Sequence, residues 1–214
     1  MFIAFEGIDG SGKSTLSNFV ARSLRSRGKN VLHTRPESHD TEQRIIGSPI
    51  MTAIKTITHN PKFAADMATS TELLLYFAQI AQLTNQIVLP ALKSKKIVIA
   101  DRYLHSLYAY FHYGKGVSWS VLKSLANIAT GGLRPDLVIL TDIPAVQAFN
   151  GKRNANKPLG RKELLGVKFF EFIRQGFITI AKHNKTTWQI LDSAKLTKQK
   201  KQQLVVNLIH SNLI

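Results

Sequence analysis

Gly7-Ile8-Asp9-Gly10-Ser11-Gly12-Lys13-Ser14 is the segment that most narrows what this chain can become. Three glycines within it let the backbone curl until successive N–H groups face inward and cradle phosphate oxygens. The apolar run Phe2–Phe5 before it suits a buried strand. Residues Ser14–Arg27 after it have a helical apolar rhythm (Leu16, Phe19, Val20, Leu24) that ends near Gly28. Strand, glycine loop and helix in that order form a phosphate-binding loop. The helix adds the positive end of its dipole, Lys13 reaches the β- and γ-phosphates, and the Ser14 hydroxyl ligates Mg²⁺. The expected ATP-binding residues are Gly7, Asp9, Gly10, Ser11, Gly12, Lys13, Ser14 and Thr15, with Mg²⁺ as cofactor.

The remaining pattern fits the same architecture. Val31–Thr34, Ile97–Ala100, Leu137–Thr141 and Thr187–Leu191 are further short apolar runs. Helical patterns lie between them, over 41–58, 62–93 and 119–129, and a last helix reaches about Leu213. Short apolar strands alternating with longer helices predict an α/β three-layer sandwich, a five-stranded parallel sheet covered on both faces. Ligands of such sheets sit at the carboxyl ends of the strands. That singles out Arg35–Glu37, Asp101–Tyr103 and Asp142 beside the glycine loop. No repeat or long linker divides residues 1–214, so one domain is expected, with the polar stretch 150–162 as a lid loop.

Composition removes other classes. With 44% apolar residues the chain can bury a core, and with no cysteine it has no disulfide framework and no thiol nucleophile. Glu6 and Asp9 interrupt any secretory leader, and Leu73–Leu92, though uncharged, carries too many amides for a membrane span. A cytoplasmic protein without a membrane partner is the expectation. The net charge of +16 calls for polyanionic partners, either nucleotides or nucleic acid. It is uneven: residues 1–106 hold 13 basic and 8 acidic side chains, residues 107–214 hold 16 and 5.

FIAFEGIDGSGKSTL at the start and IVIADRY at 97–103 together resemble the thymidylate kinases, a family of P-loop nucleoside monophosphate kinases. Ser106–Tyr110, Gly114-Lys115-Gly116, ATGGLRPDLVIL at 129–140 and Leu159–Glu163 continue the likeness in order. The resemblance implies transfer of a phosphoryl group from ATP to a pyrimidine deoxynucleotide, dTMP first among them. It implies that Asp9 approaches the acceptor sugar and that Asp101 holds Mg²⁺ through water. Arg102 would grip the acceptor phosphate, with Arg35 a further cation for it. Tyr76 or Phe77 would stack on the base, and Tyr110 would crowd the sugar 2′-position. Arg161 would be the lid arginine that follows the migrating charge, with Arg153 a second candidate. The catalytic set is then Lys13, Arg102, Arg161 and Asp101, and the metal-side set Ser14, Asp101 and Glu37. Relatives are typically homodimers through helices near the third strand.

Three places depart from the family pattern, the first being the loop Thr34-Arg35-Pro36-Glu37-Ser38, where many bacterial relatives have Thr-Arg-Glu-Pro-Gly-Gly and Glu37 stands displaced by one position. Ile80 stands where relatives carry an arginine four residues after the stacking aromatic, and Leu107 stands where they carry a small polar residue. A base edge left without its hydrogen bonds loses about 1–3 kcal/mol, so Gln79 or Gln82 would have to supply them, or the acceptor is not plain dTMP. A deoxynucleoside or polynucleotide kinase, or a family member that binds nucleotide or nucleic acid without turnover, are the alternatives.

Overall fold

The computed structural model describes residues 1–36, 45–63, 66–154 and 165–211, the side chains of 152–154 excepted. A single sheet organises them. Its strands are β1 (Phe2–Glu6), β2 (Val31–Thr34), β3 (Ile45–Ile46), β4 (Ile97–Asp101), β5 (Leu137–Asp142) and β6 (Trp188–Asp192). They stand in the order β3-β2-β4-β1-β5-β6, and every neighbouring pair is parallel. Five strands follow the sequence pattern. The sixth, β3, is two residues at the sheet edge, too short for any periodicity to register, and it falls where the sequence reads as helix.

Alternation along the central strands divides the core. Phe2, Ala4, Val98, Ala100, Val138 and Leu140 face one side, where α3 (Thr69–Leu83), α5 (Leu104–Leu107), α6 (Trp119–Thr130) and α8 (Gly166–His183) cover them. Ile3, Phe5, Ile97, Ile99, Leu137 and Ile139 face the other side, against α1 (Lys13–Ser26) and α9 (Lys198–Ser211). Burial on both faces is why these strands read as unbroken apolar runs. On α1, Leu16, Val20 and Leu24 are buried while Phe19 is 37% exposed, so the buried stripe is narrower than the apolar pattern.

Local chemistry sets the helix ends. Ser48 caps α2 (Pro49–His59) by accepting from Met51 N–H at 3.2 Å, and Pro49 begins the helix where no N–H is needed. Gly131 closes α6 in the left-handed conformation (φ 58°), its N–H donating to Asn127 O at 2.8 Å. The expected helix through Leu92 is three consecutive pieces: α3, a π-helical stretch Thr84–Val88, and α4 (Leu89–Lys93). A second π-helical stretch, Tyr108–Tyr113, continues α5. Residues 145–154 form α7, so the lid expected from 150 onward begins as helix; its remainder lies outside the described residues.

Candidate active site

The glycine loop turns between β1 and α1 with Gly7, Gly10 and Gly12 at φ 141°, 87° and 86°. Side chains are excluded there for two reasons. The conformations are left-handed, and a Cβ on Gly7 would lie 2.7 Å from Thr141 O, one on Gly10 2.8 Å from Ala148 O. The Thr141 hydroxyl donates to Glu6 O (3.2 Å), so the Ser11 hydroxyl, 2.7 Å away, donates to Thr141. These bonds tie the loop to the end of β5. Lys13 opens α1 behind Gly12 and is buried, its Nζ 3.3 Å from Asp9 Oδ1.

Because β1 and β4 are in register, with Phe5 opposite Asp101, the end of β4 delivers Asp101 and Arg102 beside this loop. Arg102 is bound on two sides. Its NH1 donates to Gly7 O and to Ser106 Oγ, both at 2.9 Å, and its NH2 donates to Asp9. Asp101 does not pair with Arg102. Arg35, at the end of β2, donates through Nε to Asp101 Oδ2 at 2.8 Å. The second oxygen, Oδ1, is buried with no hydrogen-bond partner.

Beneath these cations lies a carboxyl that no motif of the sequence singles out. Glu6 is fully buried and accepts from Tyr103 N–H (2.9 Å), Ser106 N–H (3.3 Å) and the Ser106 hydroxyl (2.5 Å). Burial pushes its pKa up to about 7, against the pull of the Ser106 hydrogen bond and the Arg102 charge.

A cavity of about 320 Å³ opens beside Arg102 between α3 and the segment 104–115. These walls run antiparallel, joined by Thr84 with Tyr103 (2.8 Å between hydroxyls), Tyr76 with Phe111 (ring centroids 6.0 Å) and Glu72 with Lys115 as an ion pair. Tyr76 and Tyr110 line the cavity, the latter under the Arg102 guanidinium at 5.8 Å. Phe77 packs in the core and is not among the lining residues. Ile80 and Leu107 both line it. Gln79 does too, but its Nε2 donates to Met51 O at 2.9 Å; Gln82 does not. The Glu72–Lys115 pair was not singled out in sequence because its members are 43 residues apart.

Arg161 and Glu37 lie outside the described residues, as does the side chain of Arg153. Asp142 is not open to a ligand through either oxygen: Arg174 of α8 clasps it with bonds of 2.7 and 2.9 Å.

The thymidylate kinase family model matches residues 5–204, spanning loop, sheet and cavity. The chain belongs to the thymidylate kinase family. With that membership come ATP-dependent phosphoryl transfer and the class of nucleoside monophosphate kinases. Similar proteins include the thymidylate kinase of Kosmotoga olearia, 34% identical over 96% of this chain and 93% of the relative. That of Pseudomonas fluorescens is 36% identical over 91% of this chain and 88% of the relative. A crystal structure of thymidylate kinase from Ehrlichia chaffeensis superposes with a TM-score of 0.74 at 26% identity, covering 98% of both chains.

Proposed function

We propose that this protein transfers the γ-phosphoryl group of ATP to the 5′-phosphate of a pyrimidine deoxynucleotide, dTMP first among them. The observation that carries the reading is the position of Asp9. Its carboxylate meets Lys13 of the donor loop and Arg102 of the acceptor cavity, so the two phosphates would arrive at adjoining cations. An acceptor phosphate oxygen attacks the γ-phosphorus in line, that bond forms as the bond to the β-phosphate oxygen breaks, and ADP leaves. The protein's part is to position the groups and compensate charge. Loop N–H groups and Lys13 hold the donor, Arg102 holds the acceptor phosphate, and Tyr76 lies against the base. Arg35 adds charge at the end of β2, and Arg161 is the proposed lid cation.

The residues present fit Mg²⁺. The buried, unpartnered Oδ1 of Asp101 is a hard oxygen donor, and the Ser14 hydroxyl stands at the start of α1. Bound there, Mg²⁺ would neutralise charge on the donor phosphates. No helix among the described residues is long and apolar enough to cross a membrane. A cytoplasmic homodimer completes the reading.

The test measures ADP release with dTMP, dUMP, dCMP, dGMP and thymidine in the presence of ATP and Mg²⁺. Turnover of dTMP is expected, and Lys13→Ala should lower it about a hundredfold or more. Turnover of thymidine without dTMP would overturn the monophosphate reading, and unchanged activity in Lys13→Ala would overturn the loop assignment.

A further inference from the structure

We propose that a cleft between α6 and the carboxyl end of α8 is a second nucleotide site. It would take a planar base against its aromatic wall and the phosphates of a nucleoside di- or triphosphate on Lys123 and Arg134. The cleft measures about 780 Å³, in the range of small-molecule sites. It lies over the amino ends of β5 and β6, where Val138 and Trp188 line it, and shares no lining residue with the acceptor cavity.

Its wall is aromatic. Trp119 packs on Tyr108 with ring centroids 5.2 Å apart, and Trp188 packs on His105 at 4.8 Å. Trp188, Tyr108 and His105 are buried, so Trp119 and Tyr113, both half-buried, offer the stacking surface, of a kind worth about 1–3 kcal/mol per base. The lining includes Lys123 and Arg134 and no acidic residue. Arg134 NH1 is bound to Thr130 Oγ1 (3.1 Å) and Leu133 O (2.9 Å), which fixes the guanidinium while leaving its charge without a carboxylate partner among the described residues. Its positive field reaches inward to Tyr108 and His105. His105 also lines the cleft, its buried Nδ1 lying 3.9 Å from Glu6 Oε1. Stacking surface and uncompensated cations in one concavity match a base joined to phosphates. A cleft of this volume suits one nucleotide rather than a strand.

The two tryptophans of the chain both line this cleft, and neither lines the acceptor cavity, so intrinsic emission reports on it. The experiment titrates dTTP into protein already saturated with ADP and dTMP, and follows tryptophan quenching. Saturable quenching is expected. Lys123 is exposed on α6, so Lys123→Glu should fold normally and raise the half-quenching concentration about tenfold, with the KM values for ATP and dTMP unchanged. Three results would overturn the proposal: emission indifferent to millimolar dTTP, quenching identical in Lys123→Glu, or a short oligothymidylate that quenches below dTTP. The last would assign the cleft to a nucleic-acid strand.

Discussion

Arg102 is one of two non-glycine residues with positive φ among the described residues, at 79°, a conformation that costs a side-chain-bearing residue about 1 kcal/mol or more. Glu6 holds it there. The N–H groups of Tyr103 and Ser106, which follow the strained residue, both point to the Glu6 carboxyl, and the Ser106 hydroxyl bridges that carboxyl to the guanidinium. Glu6→Gln keeps the shape and removes the charge that strengthens these bonds. Losing one charge-assisted hydrogen bond of about 1.4 kcal/mol predicts kcat/KM about tenfold lower at pH 8. With a carboxyl pKa of about 7, the wild type should gain activity through a limb near pH 7 that the variant lacks. A pH profile of both enzymes checks this, and an identical limb in Glu6→Gln would assign it to another group. Sequence reading found Lys13, Asp101 and Arg102 because a motif of adjacent residues carries each. It missed Glu6 and Ser106 as partners because they lie 100 residues apart and only the β1–β4 register brings them together.

At the level of elements, the acceptor cavity depends on two helical segments running antiparallel. Thr84 and Tyr103 join them at one end, Glu72 and Lys115 at the other. Ile80 and Leu107 stand between these pairs on opposite walls, and both line the cavity. These two departures from the family pattern thus lie on facing walls of one pocket. Ile80→Arg restores a donor on the α3 side. A recovered hydrogen bond to a base carbonyl, at about 1–3 kcal/mol, predicts a KM for dTMP about ten- to a hundredfold lower. Steady-state kinetics of ADP release read it directly; an unchanged or raised KM would mean that the base edge does not reach this wall. The two walls were legible only in part. Their helical character showed in the sequence, whereas the π-helical stretches did not, since inserting one residue into a turn leaves no mark on an apolar rhythm. The edge strand β3 escaped for a related reason, as two residues define no period.

Across the whole molecule, cations gather at two places. Lys13, Arg35 and Arg102 converge at the carboxyl ends of the strands, and Lys123 and Arg134 flank the aromatic cleft. The buried titratable groups set the acid response of the fold. Burial lowers His33 to about pKa 4 and His105 to about 3, and raises Glu6 to about 7. The signs oppose. The histidines contribute stability that is complete above their unfolded pKa near 6.5 and is lost as pH falls toward 4 and 3. Glu6 contributes stability that is complete below its unfolded value of 4.5 and is lost as pH rises through about 7. Between about pH 5 and 6 the unfolded chain gains protons on two histidines, and the folded chain retains one on Glu6. The difference approaches one proton, so stability should fall by about 1 kcal/mol between pH 6 and pH 5. Urea unfolding at the two pH values measures the change, and imidazole NMR shifts should show His33 and His105 still neutral at pH 5. Greater stability at pH 5 than at pH 6 would mean that Glu6 dominates the balance, and protonated imidazoles in the folded protein would remove its cause.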